Sequence, residues 1–441
     1  MADNSFIRSK LASLGFSTTK LLEYLLVAGS AATMYLFVGL RGILYEPFRH
    51  GLGLTNAQLG TLMSIAGFVQ IFGYVAFGWL QERMNVRKLL TFDMLGYGLT
   101  GLFLAFTHNL PFVVLICCWI LFGIFGDAMY WPTIQKSIKY IGGKHAQARA
   151  FGIMESIRGI GGLIVDSIDV IIFTALQASV GVFFGIKAAM TLNASITTLF
   201  GVLIWFKMPN DFMDDVKGRS IDGTGKQKIS FRIVLKAIKI PVVWVTGLGS
   251  ACAYITYICV STYFVPYLQH SFVMAASLAA VFGIVNVTAV NILAAAVSGI
   301  ISDKFFKNSA SWMAICFTLM VVFITITLMI PKQRKYVVPA MIFLLCTTFS
   351  CYLIRAVYYS PLGQYGVPDE ISSTAMSIAS FFGYSPVFFA YPVFGRILDA
   401  YPNNKAYSII FTVLVIFSVL GIVLNLINSK VIKHGYKPTI A

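Results

Sequence analysis

Long apolar runs alternate along the chain with short polar intervals. Each run is close to the length of about 20 residues that a helix needs to cross a hydrocarbon core, and twelve can be laid out. They cover approximately 21–45, 57–80, 89–107, 111–139, 150–178, 181–206, 242–268, 274–301, 311–330, 336–364, 372–400 and 405–428. In lipid every backbone N–H and C=O must be satisfied within its own segment, so such runs fold as helices. The pattern predicts an all-α membrane protein. The longest polar interval, residues 207–241, leaves six runs on either side of it. The predicted division is a six-helix bundle over 1–206, a mobile linker rich in Gly, Ser and Lys over 207–241, and a second six-helix bundle with a short tail over 242–441.

Composition sharpens this picture. Of the 441 residues 58% are hydrophobic and 11% charged, and the mean hydropathy is +0.81, which excludes a soluble domain. Most of the 33 basic residues fall at one side if both termini are cytoplasmic: Arg8, Lys10, Lys20, Arg83, Arg87, Lys88, Lys136, Lys139, Lys144, Arg149, the linker cluster, Lys304, Lys307 and Lys430 to Lys437. The net charge of +16 is then a topology signal and a contact with anionic lipid headgroups, with no nucleic-acid partner required. The N-terminus is too polar for a cleaved signal peptide. All seven cysteines lie in predicted spans without metal-binding spacing and read as packing residues, and the five histidines fall in loops or the tail. No phosphate loop, nucleophile elbow or HExxH occurs, so neither an enzyme nor a cofactor or metal site is expected.

One run breaks the apolar rule. "FGIMESIRGIGGLIVDSIDVIIF", Phe151 to Phe173, carries Glu155, Arg158, Asp166 and Asp169. At about 100° per residue these four, with Gly159 and Gly162, share a sector of roughly 100°, and Ile, Leu, Val and Phe fill the rest. An ionisable group facing lipid at mid-depth costs at least about 2.5 to 3.5 kcal/mol, so this face must look inward. At about 1.5 Å per residue, Asp166 and Asp169 match Arg41 and Lys187 in depth, where four charges can cancel. Arg158 lies lower, level with Asp127 and Arg355.

Two phrases recur, one in each half: "GWLQERMNVRK" from Gly78 and "GIISDKFFK" from Gly299. They resemble the loop signature of the major facilitator superfamily. The resemblance implies two pseudo-symmetric six-helix bundles, cytoplasmic termini, and gating roles for Gly78, Glu82, Arg83, Gly299, Asp303 and Lys304. Glu82 replaces the Asp of that signature. "LTNAQLG", "GDAMYWPTIQK" and "RGIGG" are similar to the organophosphate:phosphate antiporter branch, and "IRAVYYSPLGQYGVP" with "FFGYSP" to the YihN-type bacterial subgroup beside it. Where that branch grips phosphate, Arg41 stands for the arginine of the first helix. Tyr257 replaces the arginine of the seventh helix, Tyr74 the lysine of the second and Arg158 the histidine of the fifth.

The resemblance implies a substrate site between the halves near mid-membrane. The eleventh helix has Phe382 where Arg158 would superpose, so the scaffold does not require that charge. Arg158 and Arg355 are the candidates to reach an acidic substrate from opposite halves through their planar guanidinium forks, with pairing of Arg158 to Asp127 and Glu155 as the alternative. Arg41, Tyr74, Tyr130, Trp131, Tyr257, Tyr358 and Tyr359 complete the candidate set, and Asp127 and Glu155 are candidates for coupling. The expected function is alternating-access transport of a small organic anion of sugar-phosphate, sulfonate or carboxylate type, by proton symport or antiport against another anion. A monomer in a bacterial inner membrane is expected. Two alternatives stay open: a facilitator or exporter of a neutral sugar or other metabolite, and a transporter-like sensor that moves nothing.

Overall fold

The computed structural model describes residues 21–142, 147–213, 231–306 and 308–435. Among them eleven helices are long and apolar enough to cross a membrane. A twelfth span is made if Tyr45–Gly51 and Asn56–Gly73, bent by 91° at the break between them, count as one. The helices are α1 (Leu21–Gly42), α2 (Asn56–Arg83), α3 (Val86–Phe106), α4 (Phe112–Gly142), α5 (Gln147–Ser179) and α6 (Val182–Lys207). They continue with α7 (Pro241–Thr262), α8 (Ala276–Phe306), α9 (Ser309–Met329), α10 (Arg334–Gln364), α11 (Thr374–Ala400) and α12 (Asn403–His434).

The polar intervals act as starts and stops. Asn85 caps α3 by accepting from the Lys88 N–H at 3.3 Å, and Asn308 caps α9 through Ala310 and Ser311. Pro241 opens α7 at a position where its missing N–H is no loss. Within the linker expected from the sequence, Phe231–Ile238 forms a short helix whose Ala237 is buried with Val242 and Ala375, and 214–230 lie outside the described residues. Three π-helical stretches interrupt the spans, at Gly123–Tyr130 in α4 and at Val285–Ala289 and Ser302–Phe306 in α8. Such stretches leave the usual hydrogen-bond ladder and are frequent at functional positions.

The chain divides into two compact units. Unit 1 holds residues up to Leu40, Pro47–Leu54 and Ile65–Gln227, and unit 2 holds Arg41–Glu46, Thr55–Ser64 and the chain from Lys228. In unit 1, α3 and α6 pack closely because Gly98 and Gly101 meet Ala194 and Thr198. Lipid-facing apolar residues project outward, and on α5 Ile160, Ile164 and Ile171 are all more than half exposed. These lie at about 140°, 180° and 160° from Glu155, opposite the charged sector, so the amphipathic reading of α5 holds.

In unit 2 the start of α2 sits against α11. Asp399 accepts from the Asn56 N–H and Nδ2 at 3.1 and 2.8 Å and from the Ala57 N–H at 2.7 Å. The carboxylate thereby satisfies helix-start donors that have no partner within the helix and meets the positive end of the helix dipole. His270, expected in a loop, lies in the helix Phe264–Phe272 and pairs with Glu46 at 2.9 Å.

Candidate substrate site

Arg355, on α10, is the most distinctive charged side chain of unit 2. Its guanidinium carbon lies 3.6 Å from the centroid of Tyr257 and 5.6 and 5.9 Å from those of Tyr352 and Tyr254. Tyr254 and Tyr257 are one turn apart on α7, and Tyr352 is one turn before Arg355 on α10, so three phenols wrap one cation. Among the described residues no carboxylate lies at ion-pair distance from Arg355 and no oxygen accepts from it, and its Nε is buried without a partner. The ring faces offset part of the cost of placing a cation there, but they leave five N–H donors unanswered.

Further phenols pack against this group. The hydroxyls of Tyr358 and Tyr384 share a hydrogen bond of 2.9 Å, Tyr384 packs edge-on against Tyr254, and Tyr359 lies over Tyr358 with centroids 4.2 Å apart. A Cβ at Gly383 would meet the Tyr359 hydroxyl at 2.7 Å and the Ser250 Cβ at 3.1 Å, so any side chain there would displace Tyr359 from this packing. Arg41 also belongs to unit 2, where its guanidinium reaches the Tyr391 hydroxyl at 3.5 Å. Tyr352 and Tyr391 escaped the sequence reading. The spacing of three from Arg355 was the signal for Tyr352.

Unit 1 carries a differently dressed arginine. Arg158 pairs with Glu155 at 2.9 Å, with side chains 37% and 48% exposed, and lies 5.4 Å from the ring of Trp131. Trp131 packs edge-on against Tyr35, whose hydroxyl donates to the Gly126 carbonyl at 2.8 Å. Among the described residues Glu155 alone pairs with Arg158, so of the alternative pairing the bond to Glu155 is made and the one to Asp127 is not. Asp127 is half-buried in the π-helical stretch of α4 and has interactions of its own. Tyr130 is fully buried and its hydroxyl is 2.8 Å from that of Ser30.

The four-charge cancellation expected deeper in the bundle is not observed. Asp169 accepts from Asn193 Nδ2 at 2.9 Å, and Asp166 makes no hydrogen bond or ion pair among the described residues. Lys187 turns to the end of α3 instead, donating to the carbonyls of Leu104 and Thr107 at 2.8 and 2.7 Å. The physical reason is the set of carbonyls left unpaired at a helix C-terminus, which attract a cation.

Of the candidate gate, Lys304 is exposed and Gly299 half-buried, whereas the side-chain surroundings of Gly78, Glu82, Arg83 and Asp303 lie outside the described residues, as do those of Tyr74. Among the described residues no group of three or more His, Cys, Asp or Glu side chains could hold a metal ion. An apolar groove of about 480 Å³ on the exposed side of α3 and α6, lined by Phe92, Trp205 and Phe206 among others, includes none of the candidate residues. The chemistry on offer is therefore a guanidinium in each unit, each set on aromatic rings, with phenolic hydroxyls beside the one on α10.

Comparison with known proteins agrees over nearly the whole length. The profile of the Major Facilitator Superfamily matches residues 26–389. Inner membrane protein YihN of Escherichia coli K12 is 27% identical over 411 residues, covering 93% of this chain and 95% of that one. Inner membrane protein YqcE of the same organism is 26% identical over 370 residues, covering 83% and 85%. Among solved structures, a bacterial homologue of the human lysosomal transporter Spinster superposes with a TM-score of 0.71 at 13% identity, covering 96% of this chain and all of that one. A D-xylose–proton symporter superposes with a TM-score of 0.69 at 16% identity, covering 92% and 96%.

Proposed function

The chain belongs to the Major Facilitator Superfamily, and from that premise we propose that it is a secondary transporter moving a small organic anion by alternating access. It is an integral, multi-pass, all-α membrane protein. Its relatives YihN and YqcE are named inner membrane proteins, and the inner membrane of a bacterium is the location we assign to it.

The observation that carries the anion reading is Arg355. A guanidinium within a membrane span, stacked on Tyr257 and without a carboxylate or any other acceptor among the described residues, is a cation awaiting a partner. Arg355 is half-buried with its Nε edge shut off from solvent, so it has lost part of its hydration without gaining a counter-charge, and a ligand anion that reaches its remaining N–H donors supplies that charge. A carboxylate, phosphate or sulfonate fits the guanidinium fork, and the phenols of Tyr254, Tyr358 and Tyr384 suit a hydroxylated carbon skeleton.

Arg158 is the guanidinium we assign to the substrate in unit 1. Its present partner, Glu155, is nearly half exposed and sits within the same helix, so a substrate anion can displace it. Displacement leaves the Glu155 carboxylate without its cation, so a proton carried with the substrate anion can share this site by charge competition. Exchange of one anion for another uses the same arginine with no proton step.

The test is counterflow in sealed vesicles holding the purified protein. The panel is inorganic phosphate, sugar phosphates, sulfonates, small carboxylates and neutral sugars. Exchange of one anionic class, lost in Arg355→Gln, is the expected result. Exchange of a neutral sugar that persists in Arg355→Gln would establish the facilitator reading instead, and binding without exchange would establish a sensor.

A further inference from the structure

Unit 1 contains an acid that neither the anion site nor the coupling argument above uses. Asp93, in the middle of α3, is fully buried, and both of its carboxylate oxygens lack a hydrogen-bond partner among the described residues. An ionised carboxylate in that position would be desolvated on all sides, and a half-bundle surrounded by lipid cannot sustain it without a cation at hand. The neutral acid has no such difficulty.

The surroundings of Asp93 can be followed helix by helix. On α3 itself Tyr97 lies one turn away and packs on Gly126 of α4, whereas Arg87 is turned to the Met208 carbonyl and the Trp205 ring. From α4, Tyr130 lies within electrostatic reach of Asp93, and Asp127 belongs to the same π-helical stretch. Lys136 and Lys139 follow on α4 more than a turn beyond Tyr130. From α6, Lys187 is held by the carbonyls at the opposite end of α3, and Lys207 is exposed at the helix end. Ser30 of α1 binds the Tyr130 hydroxyl. The same Tyr130 also lies within electrostatic reach of Arg158. Tyr130 directly precedes Trp131, whose ring lies 5.4 Å from the Arg158 guanidinium, so one buried phenol on α4 lies within electrostatic reach of both the dry acid on α3 and the guanidinium on α5.

We propose that Asp93 is a proton-binding site of this protein, read out through Tyr130 by the arginine that exchanges Glu155 for substrate. Asp93 holds its proton while Arg158 is neutralised by an anion. When Arg158 is left unpaired its positive charge favours the ionised acid, with the Tyr130 phenol as the polar group within reach of both. No bond other than O–H is made or broken, and the proton returns to the same oxygen. This assignment rests on the transporter reading only for its biological purpose. Its physical content is the protonation of one carboxyl group.

The experiment is an infrared pH titration of the full-length protein in nanodiscs, with the proton itself as the ligand and no substrate added. At neutral pH the parent should show the carbonyl stretch of a neutral, weakly bonded carboxylic acid that is absent from Asp93→Asn. That stretch should vanish at alkaline pH while the protein stays folded. Arg158→Gln removes a cation in reach of the Tyr130 phenol and should move the midpoint of that loss to higher pH, and Tyr130→Phe should also shift it. A spectrum unchanged by Asp93→Asn would show that Asp93 is ionised and overturn the proposal. So would a carbonyl band that survives until the protein unfolds, or a midpoint indifferent to both Arg158→Gln and Tyr130→Phe, since either describes a structural acid. A protein that transports nothing would still show the titrating band, so failure here and failure of the transport reading are separate results.

Discussion

The Arg355 guanidinium stacks on the Tyr257 ring at 3.6 Å, closer than on Tyr254 or Tyr352. In this chain Tyr257 on α7 serves as a platform for a cation supplied from α10. A cation over a phenol is worth about 0.5 to 2 kcal/mol, more when desolvated. Tyr257→Leu should therefore weaken anion binding by about 3- to 30-fold, and Tyr257→Phe by much less, because the ring face remains. Anion titrations of both variants check this. Equal affinities for parent and Tyr257→Leu would remove the platform from the account.

Glu155 competes with the substrate anion for Arg158 over a 2.9 Å contact. Glu155→Gln removes the competitor's charge and keeps its shape, so it should raise apparent anion affinity several-fold and flatten the pH dependence of transport. Unchanged affinity together with an unchanged pH profile would mean that the pair is surface structure only.

Lys187 and Asp169 should behave as independent residues. Lys187 holds two carbonyls at the end of α3, and its loss leaves buried acceptors unpaired at a cost of about 1 to 3 kcal/mol. Lys187→Met should lower the melting temperature by several degrees. Asp169→Asn keeps a partner in Asn193 and should be neutral or stabilising. Their effects should add in the double variant, whereas strong coupling between them would revive the charge-cancelling network.

Lys332 lies in the turn between α9 and α10, where burial lowers its ammonium from 10.5 to about 8. Its folded form releases the proton before its unfolded form does. Between about pH 8 and 10.5 the unfolded state therefore binds more protons, and this group's contribution to stability rises with pH. The melting temperature of the parent relative to Lys332→Met should increase across that window. A difference independent of pH would show that the hydrogen bond from Nζ to the Thr327 carbonyl at 2.8 Å outweighs the burial.

Much of the scaffold could be read from the chain because the bilayer leaves little choice: a run long enough to span must be a helix. Its ends were less legible. The first span stops at Gly42 and a separate helix, Tyr45–Gly51, follows, since a local turn overrides a continuous apolar pattern. The π-helical stretches carry no periodic signal because they answer to tertiary packing. The grouping of Arg41–Glu46 and Thr55–Ser64 with unit 2 is likewise invisible in sequence. In the site, the charges of α5 stood out as four in one run, whereas Asp93 passed unnoticed because a single acid in an apolar run breaks no pattern. Arg355 was legible as a charge, but the lack of a carboxylate beside it among the described residues was not, since that depends on what the other helices bring near it.

Arg355 is the residue we assign to the acidic group of a small organic anion. This assignment is tested most directly by the thermal stability of the purified protein against the same ligand panel, parent beside Arg355→Gln. A ligand at about 100 times its dissociation constant adds roughly 2.7 kcal/mol to the folded state, a readily measured shift. Stabilisation by one anionic class in the parent, lost in Arg355→Gln, is the expected result. Stabilisation by that class undiminished in the variant, or by neutral sugars alone, would contradict it.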